Sequence, residues 1–338
     1  MAKVIVIGAG IIGTELCKQL TARGHTVVAQ GTRSWIDIAG ERIAIKRAGN
    51  IQEIGQALTP AIAQADAATI AIPNGNEGLD ELAYMQLFHR HKLPIVTCAK
   101  AAHAYQYPKI LELNARIGNS AAVGGGTDML NTLRRRQLQH EDLIVYAVIN
   151  GTANYVWHTM QGGGSFGGAI KIAQIMGYAE PGNEDYIAAI NEELRDMCMK
   201  ATIVTNVALS DGTSFVSPYD FEVVELTTRD VLRLSSPNAR YRFIMTFASV
   251  EHDDEIPKST PGSIRGRCGR WSINGGFHNV GAETLWYDWL REIGGINNGF
   301  RIHDPLSEDT GYALVGPGAG PGTTAKAMIR DLNRLLAA

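Results

Sequence analysis

At 338 residues, with 45% hydrophobic residues and no repeat or disorder bias, the chain has the length of about two domains and can bury a full core. Its net charge of −3 creates no field attractive to nucleic acid or anionic membrane, and neither partner is expected. Cys17, Cys98, Cys198 and Cys268 form no CxxC pair, which excludes the usual disulfide or zinc frameworks and fits a reducing compartment.

Taken in order, Lys3-Val4-Ile5-Val6-Ile7 is an apolar, β-branched run, as a buried parallel strand should be. It leads directly into Gly8-Ala9-Gly10-Ile11-Ile12-Gly13, then a helical segment over 14–23 and a second strand over 26–29. A GxGxxG between a strand and a helix, followed by a second strand, marks a dinucleotide site. Gly8 permits the tight turn, Gly10 lets backbone approach the pyrophosphate, and Gly13 lets helix pack on strand. The helix head, with Ile11 and Ile12, supplies N–H donors and a positive dipole end. Sites for NAD place a carboxylate at the end of the second strand, to bind the ribose 2′-hydroxyl. This chain reads Gln30-Gly31-Thr32-Arg33-Ser34, with no carboxylate until Asp37. Arg33, supported by Thr32 and Ser34, suits a 2′-phosphate, so NADP(H) is expected to be preferred over NAD(H).

Alternation then continues. A strand over 68–74 ends in Pro73-Asn74, placed beside the cofactor; a helix follows over 79–91 and a strand over 94–98. Lys100 falls just past the carboxyl end of that strand, where open α/β sheets bind ligands. A helix over 111–117 and a strand over 121–123 complete the expected pattern. Tyr105 and Lys109 match the YxxxK spacing of a dehydrogenase pair, but Pro108 between them breaks the helix such a pair requires. His89, His91 and the Arg134-Arg135-Arg136 run are expected to be surface residues. Farther on, Thr227 or Thr228 could cap a helix, strands are expected over 241–250 and 269–273, and Thr323 could cap a last amphipathic helix over 324–336. Trp286 and Trp289 are read as core or dimer contacts.

Five separated motifs fall in register: Gly124-Gly125-Gly126-Thr127, NGTANY over 150–155, AQIMGYAE over 173–180, DMCMKATIV over 196–204 and GPGAGPGTTA over 316–325. Together they resemble homoserine dehydrogenase, in a short form lacking the family's regulatory domain. The resemblance implies a reversible, nicotinamide-dependent interconversion of aspartate 4-semialdehyde and homoserine, an amino-acid biosynthetic activity. It matches Lys100 and Lys200 with two active-site lysines and Asp196 with the nearby catalytic aspartate. Glu180 matches a glutamate that contacts the substrate amino group. Gly151, Thr152 and Tyr178 match substrate-lining positions, and Gly318, Ala319 and Gly320 a loop returning to the cofactor. A homodimer and a small-molecule amino-acid substrate are implied as well; the scattered cysteines and the surface reading of His89 and His91 give no metal site, and the sequence is silent on a monovalent cation.

Physical reasoning about the same residues stands beside this. Asp196 and Lys200, four apart on an expected helix, share one face. Exposed, such a pair contributes a few tenths of a kcal/mol, about 0.2–0.5. The apolar residues around it (Met197, Cys198, Met199, Ala201) point instead to partial burial. Reduction of a carbonyl needs a proton donor at the developing alkoxide, and Lys200 or Lys100 can give that proton while stabilising negative charge. Departures fall around the expected pocket. Ala99 stands where the family has Asn before its lysine, Asp128 replaces the Pro that usually follows GGGT, and the Glu180–Asp196 interval is longer and reads Glu192-Glu193-Leu194-Arg195-Asp196. A dehydrogenase of a modified homoserine or another oxo/hydroxy amino acid is therefore a competing reading, and a non-catalytic NADP sensor a third. The expected architecture is α/β: a Rossmann-type dinucleotide-binding domain over 1–125, completed by the C-terminal helix 317–338, plus an α+β substrate-binding and dimerisation domain over 126–316. The opening residues carry no signal-peptide pattern and no apolar run spans a bilayer, so a cytoplasmic location is expected.

Overall fold

The structure is a computed structural model that describes every residue except 137, 139–141, 180–183, 236–239, 256–261, 281–287, 292, 305–310 and 338. It divides into two compact units, Met1–Ala122 with Pro321–Ala338, and Val123–Gly320.

The first unit is built on a seven-stranded sheet. Its strands are β1 (Lys3–Ile7), β2 (Thr26–Gly31), β3 (Trp35–Ile38), β4 (Glu41–Ala44), β5 (Ala67–Ile70), β6 (Ile95–Thr97) and β7 (Ile117–Gly118), in the order β4-β3-β2-β1-β5-β6-β7. The five strands from β2 to β7 in that order are parallel, as crossover helices require. Those helices are α1 (Ile11–Ala22), α2 (Ile51–Ile62), α3 (Leu79–Arg90), α4 (Ala101–Tyr105) and α5 (Tyr107–Leu113). Alternate residues of β1 feed two cores. Ile5 and Ile7 join Ile54, Leu58, Met85 and Phe88 on one face. Val4 and Val6 join Leu16 and Leu20 of α1, with Met328, Ile329 and Leu332 of the C-terminal helix Pro321–Ala337, on the other.

Several expectations are corrected here. An antiparallel hairpin, β3–β4, follows β2 directly. Its turn is set by Ala39 and Gly40 at φ 54° and 88°, with Gly40 N–H donating to Asp37 Oδ1 at 3.0 Å. The last parallel strand is Ile117–Gly118, starting at the last residue of the span expected to be helical and before the strand expected over 121–123, whereas 120–122 is a single 3₁₀ turn. Asn114 in the left-handed region ends α5 early. Buried Asp331 then accepts from the Ser120 N–H at 2.7 Å, which turns the chain out of the sheet. The C-terminal helix starts at Pro321, two residues before Thr323, since proline is well suited to a first helical position. Tyr105 and Lys109 lie on separate helices broken at Gln106, as Pro108 dictates. His91 is exposed and His89 partly so.

The second unit carries a wholly antiparallel seven-stranded sheet. Its strands are β8 (Ile144–Val148), β9 (Glu222–Val224), β10 (Tyr241–Ser249), β11 (Ser263–Cys268), β12 (Trp271–Asn279), β13 (Asn297–His303) and β14 (Tyr312–Pro317), in the order β14-β13-β8-β10-β12-β11-β9. Its main helices are α6 (Met129–Arg136), α7 (Gly151–Gln161), α8 (Phe166–Ile175), α9 (Tyr186–Val204) and α10 (Thr228–Leu234). Trp157 of α7, 1% exposed, packs its ring 4.5 Å from Phe277 of β12. Thr227 caps α10 through a reciprocal box with Asp230. The strand expected over 269–273 begins only at Trp271, because Gly269 at φ 54° makes the turn after β11. Arg134, Arg135 and Arg136 are exposed. All four cysteines are free thiols. Trp286 lies outside the described residues. No described helix is long and apolar enough to cross a membrane, and no group of metal-ligating side chains gathers among the described residues.

Candidate active site

The glycine turn of the first unit is shaped by close backbone contact on two sides and open space on a third. A Cβ on Gly8, at φ 131°, would sit 2.2 Å from the carbonyl oxygen of Ala71. One on Gly13 would sit 2.3 Å from the carbonyl oxygen of Gly8, which lets α1 start directly against the turn. A Cβ on Gly10 would meet nothing within 4 Å. Gly10 is also the N-cap of α1, with no side-chain cap and no acidic residue in the first turn. The donors and positive dipole end of a 12-residue helix are thus not satisfied by a local side chain, which is the setting for an anionic ligand. Ile11 is 66% exposed at this helix head, and Ile12 is half-buried. Gln30, at the end of β2, steadies the turn by donating to the Gly8 carbonyl at 3.0 Å.

Arg33 and Ser34 are exposed in the turn between β2 and β3, with Thr32 half-buried beside them. Thr32 Oγ1 accepts from the Ser34 N–H at 3.2 Å, and the Arg33 carbonyl accepts from Gly49 N–H at 2.8 Å. The backbone under Arg33 is therefore held while its guanidinium stays accessible. Past β5, Pro73 and Asn74 form an exposed loop, and Asn74 Oδ1 accepts the Lys100 N–H at 2.7 Å. Cys98 nearby is an inert thiol, its pKa pushed up to about 12 by burial.

The second unit gathers the other candidates around the start of α7. Asn150 is its N-cap, accepting from the Ala153 N–H at 2.7 Å through Oδ1. Its Nδ2 donates to Glu193 Oε2 at 2.7 Å and to Asp196 Oδ2 at 3.1 Å, both on α9. Asp196 Oδ2 also meets Lys200 Nζ at 2.7 Å, with side chains 19% and 12% exposed. The pair is thus largely withdrawn from water, and one amide couples it to the helix head. Thr152 donates to the Tyr178 carbonyl at 2.5 Å, and the Tyr178 ring lies edge-on to Tyr155 with centroids 5.5 Å apart. Gly320, at φ 106°, passes 3.9 Å from the Tyr178 ring measured from its would-be Cβ. A Cβ on Gly151 would come within 2.7 Å of the Ile296 carbonyl, and one on Gly125 within 2.7 Å of the Gly318 carbonyl. Glycine is required where these loops meet. Asp128 adopts φ 58°, a conformation closed to proline, and is held by Asn131 Nδ2 at 2.8 Å and Arg135 at 3.6 Å.

The structure accordingly brings Gly151, Thr152, Tyr178, Gly320, Asp196 and Lys200 together in the second unit, and carries Gly8, Gly10, Arg33, Asn74 and Lys100 at the carboxyl ends of strands or in adjoining turns of the first, with Gly13 in the first turn of α1. Glu180 lies outside the described residues. Asn150 and Glu193 were not singled out by sequence reasoning. An Asn ahead of Gly-Thr-Ala was a readable capping signal; the link to Glu193 and Asp196, more than 40 residues away, was not.

Parallel sheet, glycine turn and uncapped helix head define a dinucleotide-binding protein of the dehydrogenase class. The homoserine dehydrogenase family profile matches residues 129–332. Homoserine dehydrogenase of Sulfurisphaera tokodaii is 30% identical over 78% of this chain and 74% of that protein. That of Neisseria gonorrhoeae is 23% identical over 80% of this chain, which spans 57% of the gonococcal protein. Among solved structures, homoserine dehydrogenase of Thermoplasma acidophilum has the same fold, with a TM-score of 0.71 at 18% identity over 100% of this chain and 99% of that one. A hyperthermophilic archaeal homoserine dehydrogenase in complex with NADPH matches with a TM-score of 0.66 at 17% identity, over 98% and 97% of the two chains. The chain belongs to the homoserine dehydrogenase family, whose members are NAD(P)-dependent dehydrogenases acting on CH–OH groups.

Proposed function

We propose that this chain interconverts aspartate 4-semialdehyde and homoserine, with NADP(H) as its preferred cofactor. The observation that carries the reading is the Asp196–Lys200 pair, at 2.7 Å, mostly buried, and tied through Asn150 to the head of α7. The residues of the first unit fit a dinucleotide: the space above Gly10 is open and the α1 donors have no side-chain cap. Gly8, Gly10, Ile11, Ile12 and Gly13 would hold its pyrophosphate, Thr32, Arg33 and Ser34 its 2′-phosphate, and Pro73, Asn74 and Lys100 its remaining length. When bound, the nicotinamide supplies or accepts a hydride. NADPH, the ligand of the archaeal relative, agrees with the exposed Arg33 and with the lack of a carboxylate at the end of β2.

The chain's own contribution is a proton and a fixed charge. Lys200, held by Asp196, donates a proton to the carbonyl oxygen in reduction and takes it back in oxidation, and its ammonium stabilises the alkoxide meanwhile. Lys100 shares or supplements this role. Gly151, Thr152, Tyr178 and Glu180 line and hold the amino-acid part. Replacing Lys200 by alanine is expected to lower turnover ~10²–10⁴-fold, measured as NADPH consumption with aspartate 4-semialdehyde; near-normal turnover would remove Lys200 from the mechanism. A second reading, a dehydrogenase of a related but differently charged oxo/hydroxy amino acid, is favoured by one observation: Glu193 places another carboxylate one amide away from Asp196. A panel of related aldehydes in the same assay separates the two readings. Tight NADPH binding with no turnover on any of them would make the chain a sensor. A homodimer, carried over from the family, is tested by sedimentation.

A further inference from the structure

Glu81 is a carboxylate buried in the first unit, 1% exposed and without a lysine or arginine paired to it by a salt bridge among the described residues. Burying such a group is costly unless its lone pairs are used, and burial raises its pKa against the lowering effects of Thr97, Ala102 and Lys100. Its bonds go to one short stretch of chain. Oε1 accepts from Thr97 Oγ1 at 2.6 Å, and Oε2 accepts from the Ala102 N–H at 2.9 Å. Thr97 Oγ1 in turn accepts from the Ala99 N–H at 3.1 Å. The five-residue turn from the end of β6 to the start of α4 is therefore clamped on both sides of Lys100, while Asn74 holds the Lys100 N–H itself. His103, also buried, brings Nδ1 to 4.0 Å from Glu81 Oε1.

The placement of Glu81 is itself specified. A Cβ on Gly78, at φ 77°, would lie 2.3 Å from the Ala102 nitrogen. Only glycine lets α3 begin directly against the backbone of α4, and that contact brings the first turn of α3 to the Ala102 N–H.

We propose that Glu81 is a positioning residue that acts through Lys100: its carboxylate, bonded to Thr97 and Ala102, fixes the turn that presents Lys100 for the reaction. This rests on the reading that Lys100 takes part in that reaction. A misplacement of about 1 Å in a catalytic group can lower turnover on the order of 10²-fold, so the clamp's effect should appear in kcat.

The test is a double-mutant cycle in the full chain, following NADPH oxidation with aspartate 4-semialdehyde, with thermal unfolding of each variant alongside. Glu81→Gln keeps the shape and the burial but loses the charge; Thr97→Val removes the hydroxyl link and is the milder change. In either background kcat is expected to fall roughly 10- to 100-fold with the KM for the aldehyde little changed. The double variants with Lys100→Ala are expected to be no slower than Lys100→Ala alone, because the clamp has no other target. If the losses multiply, the clamp acts on the fold in general and the proposal is overturned. A slow Lys100→Ala beside a folded Glu81→Gln of normal kcat overturns it as well. If Glu81→Gln does not fold, the Thr97→Val cycle decides by the same criteria. If Lys100→Ala itself is near normal, the reading of Lys100 fails first, and the clamp loses its function with it.

Discussion

Asn150 performs two tasks that substitution can separate. Its Oδ1 caps α7 at Ala153, and its Nδ2 donates to Glu193 and Asp196. Asn150→Ala removes both, at about 1 kcal/mol for the cap and about 1.5–3 kcal/mol for donors to charged groups. Asn150→Asp keeps the cap, since aspartate is as good an N-cap as asparagine, but puts a third carboxylate against the other two. Two like charges 4 Å apart at an effective dielectric of 20 repel by about 4 kcal/mol, and the cluster lowers this by taking up a proton. The sign of the pH effect follows. A carboxyl whose pKa is raised by folding contributes its stability below the ordinary carboxylate range, and that stability is lost as pH rises through the raised value. Asn150→Asp should therefore be close to wild type in urea unfolding at pH 4.5 and markedly less stable at pH 8, whereas Asn150→Ala should be weakened to a similar degree at both. Turnover at pH 8 should drop in both variants, because Asp196 loses the amide that fixes it beside Lys200. Wild-type stability and activity of Asn150→Asp at pH 8 would refute the role given to the amide.

Arg33→Ala should raise the KM for NADPH at least ~10-fold, the loss of one or two charge-assisted bonds, and leave NADH little affected; equal losses in a steady-state comparison would remove the 2′-phosphate role. Gly13→Ala forces a Cβ to within 2.3 Å of the Gly8 carbonyl, so α1 must shift. About 1–3 kcal/mol of stability and most of the cofactor affinity should go with it, as read by unfolding and by NADPH fluorescence titration. His278, 8% exposed and opposite Arg242 in the β10–β12 pair, has its pKa lowered from 6.5 to about 4 by burial. The native state thus favours the neutral ring, so its contribution is full above pH 6.5 and is lost as pH falls toward 4, by about 3 kcal/mol in all. Urea unfolding of wild type and His278→Gln across this range should show the wild type falling more steeply; parallel curves would contradict it.

Where the chemistry of a position depends on near neighbours in sequence, the chain could be read. The Gly8–Gly13 turn, the break before Pro108 and the Thr227–Asp230 box each involve residues within five or so positions, and each has the structure its local physics dictates. The Asp196–Lys200 pair belongs here too, since helix periodicity alone puts its members on one face. The β3–β4 hairpin was missed because four-residue strands give periodicity too little length to register. The displaced β7 has a different cause. Gly118 sits where a Cβ would come 2.7 Å from that of Asp331, and Ser120 is held by the same aspartate, so a helix 213 residues away decides where the sheet ends.

The same distinction separates the candidate lysines from what holds them. Both could be picked out as charges set in apolar surroundings or at a strand end, yet neither sequence position shows why its lysine would be held in place. In the first unit the Lys100 N–H is held by Asn74, 26 residues before it, and the turn around it by Glu81, which accepts from the Ala102 N–H 21 residues on. In the second unit Lys200 meets Asp196, which is held by Asn150, 46 residues before it on another helix. Asn150 and Glu81 each have both ends in use: Asn150 on the cap of α7 and on Asp196, Glu81 on Thr97 and on the Ala102 N–H, either side of Lys100. A lone charge on a flexible stem loses rotamer entropy when it is made to stay in one place, and anchors of this kind offset that cost before substrate arrives. It follows that substitutions at Glu81 and Asn150 should change rates more than affinities, although neither residue carries the proton.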